Sequence, residues 1–495
     1  MKKLLIIVMA LVALASCKKE EKTEERLELY TPEIEKFDYI VDRFADLQIL
    51  RYRVVGIENL TLKQQELLYY LSEAALCGRD IIYDQNGKYN IAIRTLLESV
   101  YTMEGIDTTS ADFKAMEVYL KRVWVSNGIH HHYSGDKFEP GFTQAWFEEQ
   151  INKLPFEKLP LKEGQSKDEL FAELLPVIFD PTIMPTHKNQ TDGEDVIVTS
   201  ASNYYGEGVA QAMAEEFYNK MREADPNKET PISYGLNSKI VKGEDGVVRE
   251  EKWKVDGIYG NAISRICDEL AAARKVAEND IQKNALGILI DYYRTGDLRK
   301  WDEFNIEWVK DTLGQVDFIN GFIEDYDDPL GHKATFEGCV QIKDSAASAR
   351  TAILSANAQW FEDNAPIDPR FRKTSVKGIS AAVINVVAMS GATYPAPPIG
   401  INLPNADWIR KEHGSKSVTI ANITHAYDLA ALEVPGSTLT EFAYSQEEID
   451  AYKKFGNYDD EIHTDLHECL GHASGQLLPR VSSSALGEFQ SALEE

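Results

Sequence analysis

Near the end of the chain stand His467-Glu468-Cys469-Leu470-Gly471-His472, two imidazoles around a carboxylate. Imidazole nitrogen is a favoured zinc ligand. A carboxylate beside the first ligand is placed to take a proton from a water molecule that attacks a carbonyl. The common zinc-peptidase arrangement sets its histidines four residues apart, on one face of a helix. Here the spacing is five, which turns the two rings roughly 140° from each other on a regular α-helix. Both reach one ion only if the turn is widened, as by a π-bulge, a distortion that favours functional sites. Gly471 is the residue that tolerates it best. Carboxylates that complete such a ligand set stand at Glu494-Glu495. The competing reading, a pair of solvated histidines, explains neither the order of the residues nor their company.

Those side chains need a scaffold, and much of the chain reads as helix. Thr31-Pro32 looks like a helix start, with Ile34, Phe37, Val41, Phe44 and Leu47 recurring at helical spacing. Thr61 and Gln64 form a capping box ahead of Leu67, Leu68 and Leu71, with Gly78 as a stop. A further helix is expected from about Ala111 to Val125, ending at Asn127-Gly128, and long amphipathic helices from Ala262 to Tyr293. Glu194 to Thr199 reads as a strand. Ile240-Val241 and Val247-Val248 flank a Gly-Glu-Asp-Gly turn and read as a hairpin that continues toward Trp253. Lys373 to Ser390, small and β-branched, suggests a packed strand or helix. Strands do not alternate regularly with helices, which excludes a simple doubly wound sheet and points to an α+β, mainly helical protein.

The balance of 80 acidic against 52 basic residues, a net charge of −28, argues against nucleic acid as a partner. It suits ligands with a positive amino end. Met1 to Ser16 reads as a secretory signal, with Lys2 and Lys3 ahead of an apolar run too short to span a bilayer. Leu14-Ala15-Ser16-Cys17 resembles the box at which bacterial lipoproteins are lipidated on cysteine. The expectation is an exported, envelope-located protein touching membrane only through that anchor, with residues 17–30 as a charged tether. Cys77, Cys267, Cys339 and Cys469 form no close pair and read as free thiols. His130-His131-His132 invites a metal reading, but adjacent residues point in different directions, so a hydrogen-bonded loop is expected. Asp325, Asp327 and Asp328 lack the spacing of a calcium loop.

The six residues His467 to His472, with their extra glycine, resemble the zinc motif of the dipeptidyl peptidase III family, and Glu494-Glu495 resembles the opening of its second motif. The resemblance implies one zinc ion held by His467, His472 and Glu495, with Glu468 as general base and Glu494 orienting a ligand. Gly321 to Gly331 resembles a family segment in which a glutamate binds the substrate amino terminus and a tyrosine hydroxyl holds the reacting carbonyl; Glu324 and Tyr326 match. Gly400 to Asn405 resembles the segment whose two asparagines bind the peptide's amino end; Asn402 and Asn405 match. Read by themselves these four would be a solvated acid, a structural tyrosine and two turn residues. The resemblance also implies two lobes around a cleft, the lower with a small five-stranded β-barrel core and the upper helical and zinc-bearing. The lower lobe would take 31–345 and 386–431, the upper 346–385 and 432–495. Family members continue past the second motif, so the resemblance implies a chain cut short at Glu495. The activity implied is release of dipeptides from the amino terminus of short peptides. A non-catalytic peptide- or zinc-binding lipoprotein is the main alternative, and a general endopeptidase a weaker one.

Overall fold

The computed structural model describes residues 37–376, 379–433, 438–467, 471 and 475–476. The chain divides into two units. The smaller takes in residues up to Tyr52 together with Ala426–Phe442. Its described amino-terminal part is a hairpin of β1 (Ile40–Phe44) and β2 (Leu47–Leu50), paired Phe44 to Leu47 and Ile40 to Leu50. This corrects the helix expected through Val41, Phe44 and Leu47. Burial alternates along β1 with period two, and Ala45 takes a left-handed φ of 51° at the turn. The β-branched Ile40, Val41 and Ile49 fit a pleated surface better than a helix. The strand period prevails over a helical spacing that the same residues also satisfy.

In the larger unit, the helix Leu62–Cys77 begins on the expected capping box: Thr61 accepts from the Gln64 N–H, and Gln64 reaches back to the Thr61 N–H at 2.8 Å. The helices Asn90–Tyr101, Ala111–Ser126, Gln144–Lys153 and Lys167–Phe179 surround an apolar core of Leu96, Leu97, Met116, Leu120, Phe147 and Leu174. The expected hairpin forms as β3 (Ser238–Lys242) and β4 (Val248–Lys252), and Trp253 extends it by donating its N–H to Asn237. The helices Gly260–Lys275, Asp280–Thr295 and Leu298–Lys310 follow. Residues 194–199 are a turn rather than a strand: Asp195 accepts from the N–H groups of Ile197 and Val198 and from that of Gln211, which bends the backbone locally.

The central sheet holds β5 (Val316–Phe322), β6 (Phe336–Lys343), β7 (Ile379–Gly391), β8 (Gly400–Leu403) and β9 (Ser415–Ile420). Their order is β5-β6-β7-β9-β8, antiparallel except for β7 beside β9. Helix Leu62–Cys77 packs on β5, β6 and β7. A Cβ at Gly338 would come within 2.7 Å of the Ala75 Cβ, and Ser390 Oγ donates to the Ala75 carbonyl at 2.6 Å. Only a glycine lets helix and sheet approach that closely. The mainly helical α+β class and the five strands agree with expectation, but the barrel does not close. Among the described residues β5 and β8 remain unpaired edges. With β8 only four residues long, few backbone bonds were available to close the ring.

Candidate active site

Glu324 follows the end of β5, where pairing continues for two more residues: Ile323 N–H donates to the Thr335 carbonyl and Thr335 N–H to that of Glu324, at 3.1 and 2.8 Å. The chain then turns through Asp325 to Asp328, so Tyr326 stands on the turn and is 69% exposed. Glu324 and Tyr326, two residues apart, therefore do not share one strand face, as they would if β5 ran on through both. The acids that follow serve the turn itself. Asp328 is buried and accepts from the Tyr205 hydroxyl at 2.9 Å and from the N–H groups of Leu330, His332 and Lys333. Lys188 Nζ holds the Tyr326 carbonyl. Burial beside Glu324 raises the Asp325 carboxyl to about 6.

Beneath this turn sits a polar group that sequence reading passes over. Lys333 is fully buried, with Nζ donating to Tyr218 Oη, to the Gly235 carbonyl and to Ser238 Oγ. Burial pulls its ammonium down to about 7, against the attraction of Asp328. Glu337 on β6 is 7% exposed. Burial, and then the charge of Glu324, push its carboxyl up to about 8. One signal was present: Glu337 is a lone acid in the apolar run Phe336 to Val340.

Asn402 lies on β8, buried, its Nδ2 donating to Ser417 Oγ at 2.6 Å and Ser415 Oγ at 3.2 Å on β9. Both amide protons are occupied there, so a contact from this nitrogen to a peptide requires one of those bonds to be exchanged. Asn405 is exposed just past the strand, and its Oδ1 accepts from Arg410 at 3.1 Å. A small aromatic-walled hollow is lined by Asn320 and Ile323 from one edge of the sheet and by Leu403 and Asn405 from the other. The sheet thus curls until the segments carrying Glu324 and Asn405 border one space, although the edge strands do not pair.

The helix Gln446–Leu466 leads to His467. Ser445 caps its start, and near its end the buried Asp465 accepts from Thr419 Oγ1 of β9 at 2.6 Å. That bond ties the helix to the strand that also braces Asn402. The His467 N–H reaches both the His463 and Thr464 carbonyls, and the backbone at His467 and Gly471 is wound in the wider π form. The His467 ring is exposed, and a Cβ at Gly471 would stand 4.0 Å from its Nδ1. Glu468, His472 and Glu495 lie outside the described residues. Among the described residues, no group of three or more His, Cys, Asp or Glu side chains is placed to hold a metal ion. What is described fits zinc in kind: an accessible imidazole at a widened turn, one residue from a carboxylate and five from a second histidine.

The histidine triplet forms the hydrogen-bonded loop expected of it. His130 Nε2 meets the Met184 carbonyl at 2.8 Å, His131 Nδ1 accepts from the Tyr133 N–H, and His132 Nδ1 meets Ser126 Oγ. Burial lowers the His130 imidazole to about 4.

Residues 237–492, more than half of the chain, match the model of Peptidase family M49. The dipeptidyl peptidase 3 of Nematostella vectensis is 23% identical over 486 residues, which cover 90% of this chain and 64% of that one. The dipeptidyl peptidase 3 of Homo sapiens is 27% identical over 484 residues, covering 89% of this chain and 63% of that one. The solved dipeptidyl-peptidase III from Corallococcus sp. strain EGB superposes with a TM-score of 0.61 at 20% identity, over 85% of this chain and 64% of that one. The chain therefore has the fold of that enzyme and spans somewhat under two thirds of the length of the relatives it matches. It belongs to Peptidase family M49.

Proposed function

We propose that this chain belongs to a zinc-dependent exopeptidase that releases dipeptides from the amino terminus of short peptides. The observation that carries the reading is the family match over 237–492, which spans every candidate residue except Glu494 and Glu495. His467, His472 and Glu495 would hold the ion. When bound, zinc polarises a carbonyl and acidifies water. Glu468 takes a proton from the attacking water and passes it to the leaving amine. Tyr326, exposed on its turn, offers its hydroxyl to the developing oxyanion; one such donor typically contributes about 2.7–4 kcal/mol in the transition state. Glu324 carries the negative charge for the substrate ammonium, and Asn405 and Asn402 offer amides to the first two residues. A grip on the amino terminus two residues from the reacting carbonyl sets the length of the product.

The test is release of a dye from a dipeptide conjugate, with a chelator, with zinc restored, and with Glu468→Gln. Turnover indifferent to the chelator and to the substitution would sink the metallopeptidase reading. Acetylating the substrate amino group should abolish turnover; if it is harmless, the enzyme is an endopeptidase. By the same reading Met1–Cys17 directs export and lipidation, and Cys17→Ala should stop incorporation of labelled fatty acid while leaving hydrolysis intact.

A further inference from the structure

The backbone of Glu324 is gripped at both of its polar groups. Its N–H donates to Glu337 Oε1 at 3.2 Å. Its carbonyl accepts from the Thr335 N–H at 2.8 Å and from Thr335 Oγ1 at 3.1 Å. Thr335 Oγ1 also lies 3.2 Å from Glu337 Oε1, so the two clamping side chains are themselves joined. The cross-strand partners of Glu337 are glycines on both sides, Gly321 on β5 and Gly391 on β7. A Cβ at Gly321 would run into the Trp301 ring at 2.5 Å and one at Gly391 into the Phe336 backbone, so the chain packs tightly on both sides of Glu337. Regular pairing of β5 stops at Phe322, which faces Phe336; Glu324 keeps one backbone bond, from the Thr335 N–H, and its own N–H goes to a side chain. Side chains therefore take over from the ladder where the candidate ammonium-binding residue leaves the sheet.

We propose that Glu337 is a positioning residue for Glu324: its buried carboxyl fixes the peptide group from which Glu324 reaches the substrate amine. The proposal rests on the role assigned to Glu324 above. Its chemistry is that of a neutral acceptor. The strongest charges acting on Glu337 are those of Glu324 and Asp327, both acids, and Tyr204 and Cys339 feel its charge in turn. A second full negative charge at this place would repel the first, and burial holds the Glu337 proton at neutral pH, its carboxyl titrating near 8. A neutral Glu337 accepts the Glu324 N–H and leaves the negative charge of Glu324 for the ligand.

Three variants test this: Glu337→Leu, which keeps bulk and loses the acceptor, Glu337→Gln, which keeps a neutral acceptor, and Thr335→Val. Hydrogen–deuterium exchange over residues 323–328 reads the clamp without any catalysis. Steady-state kinetics on a dipeptide-dye substrate read its consequence. Glu337→Leu should speed exchange at Glu324 and raise KM about tenfold, the size of one lost buried hydrogen bond, with kcat little changed. Thr335→Val should move both readouts in the same direction and by less. Glu337→Gln should restore both at pH 7. Unchanged exchange in Glu337→Leu overturns the proposal. Faster exchange with an unchanged KM also overturns it, as does a fall in kcat with KM constant. A wild-type protein that hydrolyses no peptide instead defeats the function proposed above, whatever the exchange shows.

Discussion

Around Leu97 and Phe147 the helices bury leucine, isoleucine, phenylalanine and methionine side chains to nearly zero exposure. Around the half-buried Glu324, in the same unit, the buried side chains include Asn320, Asp328, Lys333, Thr335 and Glu337. The first region is held by area removed from water and needs only side chains of suitable volume. The second is held by hydrogen bonds between groups that are costly to bury, and each member depends on its neighbours. A chain gains no stability from Lys333 or Glu337 that a well-packed apolar residue could not match. The function proposed above gives a reason for them, since the turn beside them carries Glu324 and Tyr326.

That contrast can be tested from its largest expected effect downward. Glu468→Gln should lower kcat for dipeptide release at least about a hundredfold while leaving the urea midpoint in place. A large loss of stability there would place Glu468 in the scaffold. Phe147→Ala should do the reverse, costing about 3–5 kcal/mol in equilibrium unfolding with KM for a dipeptide substrate unchanged in the protein that remains folded. A shifted KM would show that the helical core and the site are coupled.

Lys333 gives a pH signature that the helical core lacks. In the folded chain its ammonium titrates near 7, and its ordinary value is 10.5. Between those values the unfolded chain holds a proton that the folded chain has lost, so stability from this group rises with pH across that window. Glu337 runs oppositely: its folded value is near 8 and its ordinary value 4.5, so the folded chain holds the extra proton and stability falls as pH rises through that range. The difference in urea midpoint between wild type and Lys333→Met should therefore move in favour of wild type from pH 7 to 9.5. A constant difference would mean that Lys333 keeps its charge through its bonds to Tyr218 and Ser238. The smallest effect belongs to Thr61→Ala, which removes a cap on the helix under the sheet and should cost about 1 kcal/mol, with no change in kinetics.

Local chemistry made part of this legible beforehand. The capping box at Thr61, the left-handed stop at Asn127 and the Gly243-to-Gly246 turn between β3 and β4 are short-range devices, written in a few consecutive residues. Where two periods fit the same residues, as from Phe37 to Leu47, the helix reading failed. Hydrophobic spacing there satisfies either form, and β-branching favours the hairpin. Val196 to Thr199 looked like a strand only because the Asp195 side chain, which folds them into a turn, acts through hydrogen bonds that composition does not show. Glu324, Tyr326, Asn402 and Asn405 were found by resemblance. Their spacing alone reads as ordinary loop and turn chemistry.

By itself the sequence determined the residue types available for chemistry. It placed two imidazoles and a carboxylate within six residues, with a glycine where the helix must widen. It also set the excess of acid and the helices whose ends carry their own caps, because these follow from neighbours along the chain. Only the tertiary structure decided which ionisable groups lose their water. Lys333 looks in sequence like any surface lysine, and Glu337 is set apart only by its apolar neighbours. Glu337 loses its water where β6 is paired on both sides by β5 and β7, and Lys333 where Tyr218, Gly235 and Ser238 enclose it; both depend on segments that meet from distant parts of the chain.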